Sequence, residues 1–173
     1  NYCETKGSDA NYEYIESVSI NGTNFQTGNN NGYFDNTETT VDQLISTSLS
    51  LTLTPGFLST NYNENWFVWI DFDKDGVFDN TNELVYTGQS QSSIATSIAI
   101  PSQTQAGETT MRVMMKYLTP SADPCGTFTY GEVEDYRLNL IQNDKVEPNY
   151  CETKGSDANY EYIESVSING TNF

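Results

Sequence analysis

The sequence predicts an all-β fold: an antiparallel β-sandwich of about eight strands, set as one unit of a tandem array. Three observations predict it. Apolar residues alternate with polar ones over several short stretches, the period of a half-buried strand, and no stretch sustains a helical period. Asn, Thr and Ser are abundant, and 12 tyrosines supply rings with a polar tip, which suits strands joined by polar turns. Residues 149–173 also repeat residues 1–25 letter for letter. Residues 1–148 therefore read as one complete unit, and 149–173 as the start of a second.

The elements follow in order. Residues 12–20 (YEYIESVSI) alternate and predict a strand. The cluster Gly28-Asn29-Asn30-Asn31-Gly32 predicts a turn. Over 45–53, Ile45, Thr47, Leu49, Leu51 and Leu53 share one face with Ser and Thr opposite, and Pro55-Gly56 is expected to stop that strand. The run at 66–72 (WFVWIDF) is apolar on both faces, as in a central strand; Trp66 and Trp69 point to opposite faces and are expected to be packed. Residues 83–87 predict a short strand. In 94–100, Ile94, Thr96, Ile98 and Ile100 alternate up to Pro101. Further strands are expected at 109–117 (TTMRVMMKY) and 133–141 (VEDYRLNLI). The polar, proline-ended stretch 143–148 (NDKVEP) reads as a linker between units.

Charge and composition exclude several functions. The formal net charge is −17, with only 7 lysines and arginines, so nucleic acid is not an expected partner. No apolar run approaches the roughly 18 residues of a membrane helix, and no membrane insertion is expected. No signal peptide is visible, as in a mature or excised region. Histidine is absent, which removes the commonest general base and rules out Ser-His-Asp and Cys-His mechanisms. No pair of carboxylates is marked as acid and nucleophile. The chain is therefore not expected to be an enzyme.

The most specific motif is Asp71-Phe72-Asp73-Lys74-Asp75-Gly76-Val77-Phe78-Asp79. Calcium takes six to eight oxygen ligands, and carboxylates at alternate positions of a tight loop can converge on one ion. Gly76 permits the sharp turn. Asp71, Asp73, Asp75 and Asp79 are the candidate side-chain ligands, with the Val77 carbonyl between them. The twelfth position, where a helix-loop-helix calcium hand has a bidentate Glu, is Asn82, and Glu83 follows it. The flanks read as strands. We therefore expect a β-flanked calcium loop closed by Glu83. Without a cation, four aspartates in nine residues would repel one another.

Each unit has two cysteines, Cys3 and Cys125, and Cys151 is the repeat copy of Cys3. In an extracellular chain, two cysteines per unit suggest one disulfide. Closing so long a loop contributes roughly 4–5 kcal/mol in the chain-entropy model. Cys125 is offered either Cys3 or Cys151.

The phrase Gly131-Glu132-Val133-Glu134-Asp135-Tyr136 has company. Tyr2-Cys3, Tyr14-Ile15, Gly32-Tyr33-Phe34-Asp35, Trp69-Ile70-Asp71-Phe72-Asp73, Asp75-Gly76-Val77-Phe78, Met111-Arg112-Val113 and Pro124-Cys125-Gly126-Thr127-Phe128 accompany it. In this order they resemble the GEVED domain of secreted bacterial proteins, especially those of the Bacteroidetes, over nearly all of 1–142. The resemblance implies a β-sandwich on an exported, cell-surface or multi-domain protein, and no catalytic activity. It places Tyr-Cys at the start of its own domain, which favours Cys3–Cys125 within the unit and leaves Cys151 for the next. Glu132, Glu134 and Asp135 could form a second cation site with Asp35, or pair with Arg112 or Arg137; pairing is the favoured reading, because buried carboxylates are usually paired.

Two functions are therefore expected to compete. One is a structural repeat unit of a calcium-stabilised extracellular fibre, cell-surface stalk or adhesin, its partners being neighbouring copies in a head-to-tail array. The alternative is a carbohydrate-binding accessory module of a secreted hydrolase. Identical tandem copies favour the first.

Overall fold

A computed structural model describes residues 1–118 and 120–143, and beyond them residues 156, 163–168 and 171–172. The chain divides into two units, Asn1–Asn143 and Asp144–Phe173. Among the described residues, the first contains ten strands and no helix: β1 Thr5–Asp9, β2 Glu13–Ile20, β3 Thr23–Gln26, β4 Tyr33–Leu44, β5 Ser48–Phe57, β6 Glu64–Ile70, β7 Leu84–Ser90, β8 Ile94–Ala99, β9 Gly107–Lys116 and β10 Gly126–Ile141. In the second, Ser167–Ile168 (β11) and Thr171–Asn172 (β12) form a short hairpin. Its register, Ser167 opposite Asn172 and Ile168 opposite Thr171, is that of the identical residues Ser19, Asn24, Ile20 and Thr23 in the β2–β3 hairpin. Cys151 and residues 144–148 of the expected linker lie outside the described residues.

Two sheets account for the first unit. The smaller runs β3-β2-β5-β8 and is antiparallel throughout. The larger runs β1-β10-β9-β6-β7, with β4 also on β10. Here the expectation of a purely antiparallel fold of about eight strands is corrected. The long β10 receives two strands in succession on one edge, β1 along 126–130 and β4 along 133–141, and both run parallel to it. The strands the sequence did not announce are β1 (TKGSD), β3 (TNFQ) and β4 (YFDNTETTVDQL). All three are polar and at sheet edges, so backbone pairing holds them and little apolar alternation marks them.

Two boundaries moved for local reasons. Ser46 has φ 62°, and the chain turns there from β4 in the larger sheet to β5 in the smaller, so the strand starts at Ser48 rather than Ile45. Pro55 does not stop β5. The neighbour β8 reaches only to Leu53, so the missing N–H of Pro55 faces no strand on that side.

The inner faces of the two sheets share one core, which makes the unit sandwich-like. Ile15, Val18 and Ile20 of β2 and Leu49, Leu51 and Leu53 of β5 meet Trp66, Val68 and Ile70 of β6, Met111, Val113 and Met115 of β9, and Tyr136, Leu138 and Leu140 of β10. The opposite face of the larger sheet buries Phe67, Trp69, Phe78, Met114 and Val133. Strand β6 is thus covered on both sides, as its unbroken apolar run predicted.

Where β1 ends and β4 begins on β10, three glycines meet. A Cβ on Gly7 would lie 1.9 Å from the Gly131 carbonyl oxygen, and one on Gly32 would lie 1.9 Å from the Gly7 oxygen. Gly32 also has φ +97° and accepts N–H bonds from Gly7 and Val133, both 3.1 Å. Gly28, in the same turn, has φ +64° but open space around it. Gly32→Ala is expected to cost about 3 kcal/mol or more by urea denaturation, adding backbone overlap to left-handed strain, whereas Gly28→Ala is expected to cost about 1 kcal/mol. Equal losses would show that the junction has room to relax.

Candidate metal centre

The loop between β6 and β7 begins where a fully buried strand runs out. Asp71 follows Ile70 and is itself completely buried. Its N–H donates to the Thr110 carbonyl at 3.1 Å, and its carbonyl accepts the Thr109 hydroxyl. The Ile70 N–H donates to the Glu83 carbonyl at 3.0 Å, closing the neck of the loop. Between these ends the chain reverses through two left-handed residues, Lys74 (φ 62°) and Gly76 (φ 82°).

Carboxylates organise the backbone inside the loop. Asp71 Oδ1 accepts Lys74 N–H at 2.6 Å; Asp71 Oδ2 accepts Gly76 N–H at 3.1 Å and the Tyr2 hydroxyl at 2.7 Å. Glu83, also buried, accepts Phe72 N–H at 2.8 Å on Oε1 and Asp79 N–H at 3.0 Å on Oε2. Burial pushes the Glu83 carboxyl up, and the Asp79 and Phe72 N–H groups pull it back. Asp73 is exposed and accepts Asp75 N–H at 3.2 Å. One carboxylate oxygen each from Asp71, Asp73 and Glu83 lies within 4.8 Å of the others. The one lysine of the loop does not neutralise them: Lys74 Nζ donates instead to the Gln105 and Ala106 carbonyls at 2.7 and 2.6 Å.

Of the six residues the sequence marked, the structure thus brings together Asp71, Asp73 and Glu83. Asp75 and Asp79 act as turn formers. Asp75 accepts Val77 N–H at 2.7 Å, and Asp79 accepts the N–H groups of Thr81 and Asn82 at 2.5 and 2.9 Å. Those two donors hold the Asp79 carboxyl below its ordinary range. The side chain of Val77 is exposed, so only its carbonyl could take part. Tyr2 is the participant that reading the loop alone misses. Its ring stacks on Phe78 at 4.7 Å between centroids while its hydroxyl reaches Asp71. The only signal for it was its place beside Cys3.

The second set of carboxylates is dispersed. Asp35, Glu132, Glu134 and Asp135 do not converge on one point; each has its own partners. Exposed Asp35 accepts from the backbone and hydroxyl of Thr37 at 2.9 and 2.6 Å. Glu132, fully buried, accepts the N–H groups of Asn30 (2.6 Å), Ile15 (3.0 Å) and Gly32 (3.4 Å). Asp135 forms a buried two-point pair with Arg112, Nε–Oδ1 and Nη2–Oδ2 both 2.7 Å, and takes the Tyr33 hydroxyl at 3.0 Å. Arg112 Nη1 donates to the Pro124 and Cys3 carbonyls at 2.8 and 3.1 Å, and its guanidinium lies 5.0 Å over the Phe78 ring. Cys3 and Cys125 are disulfide-bonded, with Cα atoms 5.5 Å apart. Arg137 pairs instead with exposed Glu108. Both tryptophans are fully buried, and Trp69 donates to Asn80 at 2.8 Å.

Residues 65–139, from β6 through the loop to β10, match the GEVED domain. No curated protein matches the chain.

Glu134 has a different chemistry from its neighbours. It is fully buried, Oε1 has no partner, and Oε2 takes the Tyr136 hydroxyl. Burial pushes its carboxyl up to about 8 from an ordinary value near 4.5. The folded chain therefore keeps this proton while the unfolded chain releases it. Stability from this group is complete below about pH 4.5 and is lost as pH rises toward 8. Urea denaturation is expected to show a loss on the order of a few kcal/mol across that interval. Glu134→Gln is expected to reduce the slope, leaving the part carried by Glu64, which is also raised to about 8. An unchanged slope would show that Glu134 ionises freely in the fold.

Proposed function

We propose that the chain is a non-catalytic, calcium-stabilised structural unit of an extracellular fibre, cell-surface stalk or adhesin, followed by the start of the next identical unit. The observation that carries this reading is the fate of the first copy of the duplicated segment. Its residues already supply β1, β2 and β3, stack Tyr2 on the loop and bond Cys3 to Cys125. On this reading the second copy, 149–173, is the start of another unit. The disulfide supports an oxidising, extracellular location.

Calcium is the cation the donor set suits. Asp71, Asp73 and Glu83 are hard oxygen ligands on a loop flanked by strands, and the Val77 carbonyl and waters would complete the shell. Bound there, the ion would neutralise the carboxylate cluster and tie β6 to β7. The carbohydrate-module reading lacks a tryptophan platform, because Trp66 and Trp69 are both buried.

Two experiments test the proposal. Millimolar calcium is expected to raise stability by about 1 kcal/mol for an extracellular site with Kd of roughly 10⁻⁴–10⁻³ M. EDTA should therefore lower the melting temperature in calorimetry, and Asp73→Asn, an exposed change that leaves the core intact, should abolish that sensitivity. A wild-type protein indifferent to calcium would refute the metal assignment. Separately, deleting 149–173 is expected to leave a folded domain with the Cys3–Cys125 bond. If that deletion unfolds the protein while loss of 1–25 is tolerated, each unit is completed by its neighbour and the self-contained reading fails.

A further inference from the structure

A second site lies away from the metal centre, at the opposite end of β6. There, where β2 and β6 begin and β9 ends, the space between the sheets opens as a cavity of about 250 Å³ lined by Tyr12, Glu13, Tyr62, Tyr117 and Tyr130. Its four rings come in two pairs. Tyr62 and Tyr117 lie 5.0 Å apart and tilted by 48°, and Tyr12 meets Tyr130 edge-on at 6.3 Å and 79°.

Behind this lining, and not part of it, is Glu64. Three of its neighbours line the cavity. Tyr62 lies two residues upstream, and Tyr117 falls opposite it when the Asn65–Lys116 pairing is continued by one residue. Glu13 faces it from the other sheet, and its charge adds to burial in pushing the Glu64 carboxyl up. Strand alternation points Glu64 to the same inner face as Trp66 and Val68. Glu64 is fully buried, and neither carboxylate oxygen has a hydrogen-bond partner. A buried carboxyl with neither oxygen partnered is costly, and a cation in the cavity beside it would favour its charged form.

No basic side chain among the described residues lines the cavity. The nearest in sequence, Lys116, turns to the opposite face of the sheet, where its ammonium lies 5.2 Å over Phe67 and 5.7 Å over Phe128. Electron-rich ring faces around a pair of buried acids are the surroundings that attract an organic ammonium ion.

We propose that the cavity lined by Tyr12, Tyr62, Tyr117 and Tyr130, with Glu13 in its wall and Glu64 behind it, is a binding site for an organic ammonium group, a primary or methylated amine. The test is an NMR titration of the full chain with tetramethylammonium and methylammonium chloride, against potassium chloride at equal ionic strength and against glucose. Saturable shifts confined to the tyrosine ring signals are expected with the ammonium salts, with at least a tenfold loss of affinity in Glu64→Gln and in Tyr117→Leu. Glu64→Gln keeps the shape and removes only the ionisable group, so it should fold even if the leucine variant does not. Equal shifts with potassium chloride, saturation by glucose instead, or unaltered affinity in Glu64→Gln would each overturn the assignment.

Discussion

The carboxylate of Glu132 is the point on which the two sheets depend. It projects from β10 of the larger sheet and accepts the N–H of Ile15 on β2 of the smaller one, and of Asn30 and Gly32 in the turn before β4. Three backbone donors and complete burial make these strong, water-excluded hydrogen bonds. The same carboxylate thus sets the spacing of the sheets and anchors the turn that delivers β4 onto β10. The glycines around it follow from that geometry. With Gly7, Gly32 and Gly131 in backbone contact, β1 and β4 can dock end to end along one strand.

A second charged group fastens the other face. Arg112 on β9 holds Asp135 on β10, the carbonyls of Cys3 and Pro124 beside the disulfide, and the ring of Phe78 in the acidic loop. Tyr2 completes the connection by stacking on Phe78 and donating to Asp71. The N-terminal segment, the disulfide and the loop are therefore one mechanical assembly. Ordering of the loop by a cation would be felt through Tyr2 and the N-terminal segment.

Legibility followed apolar periodicity. Strands 12–20 and 109–117 stood out through apolar residues at alternate positions, and 66–72 through an unbroken apolar run. β1, β3 and β4 left no such mark, and their loss from the reading hid the parallel pairing as well. The loop was legible because carboxylates at alternate positions around a glycine are rare without a purpose. Which of them converge was not, because Asp75 and Asp79 could satisfy nearby N–H groups just as readily as a metal. The Glu64 cavity was invisible, since its residues are scattered from Tyr12 to Tyr130.

Sequence patterns alone establish the all-β class, the central apolar strand, the acidic loop, the duplicated segment and the lack of histidine, because each is a local pattern or a count. Only the tertiary structure decided that β1 and β4 run parallel on β10, that Cys125 takes Cys3, that the GEVED carboxylates serve N–H groups and an arginine, and that Asp71, Asp73 and Glu83 meet. These are matters of which distant groups arrive at one place. Long-range backbone pairing and the burial of charge settle that, and neither is written in the spacing of residues along the chain.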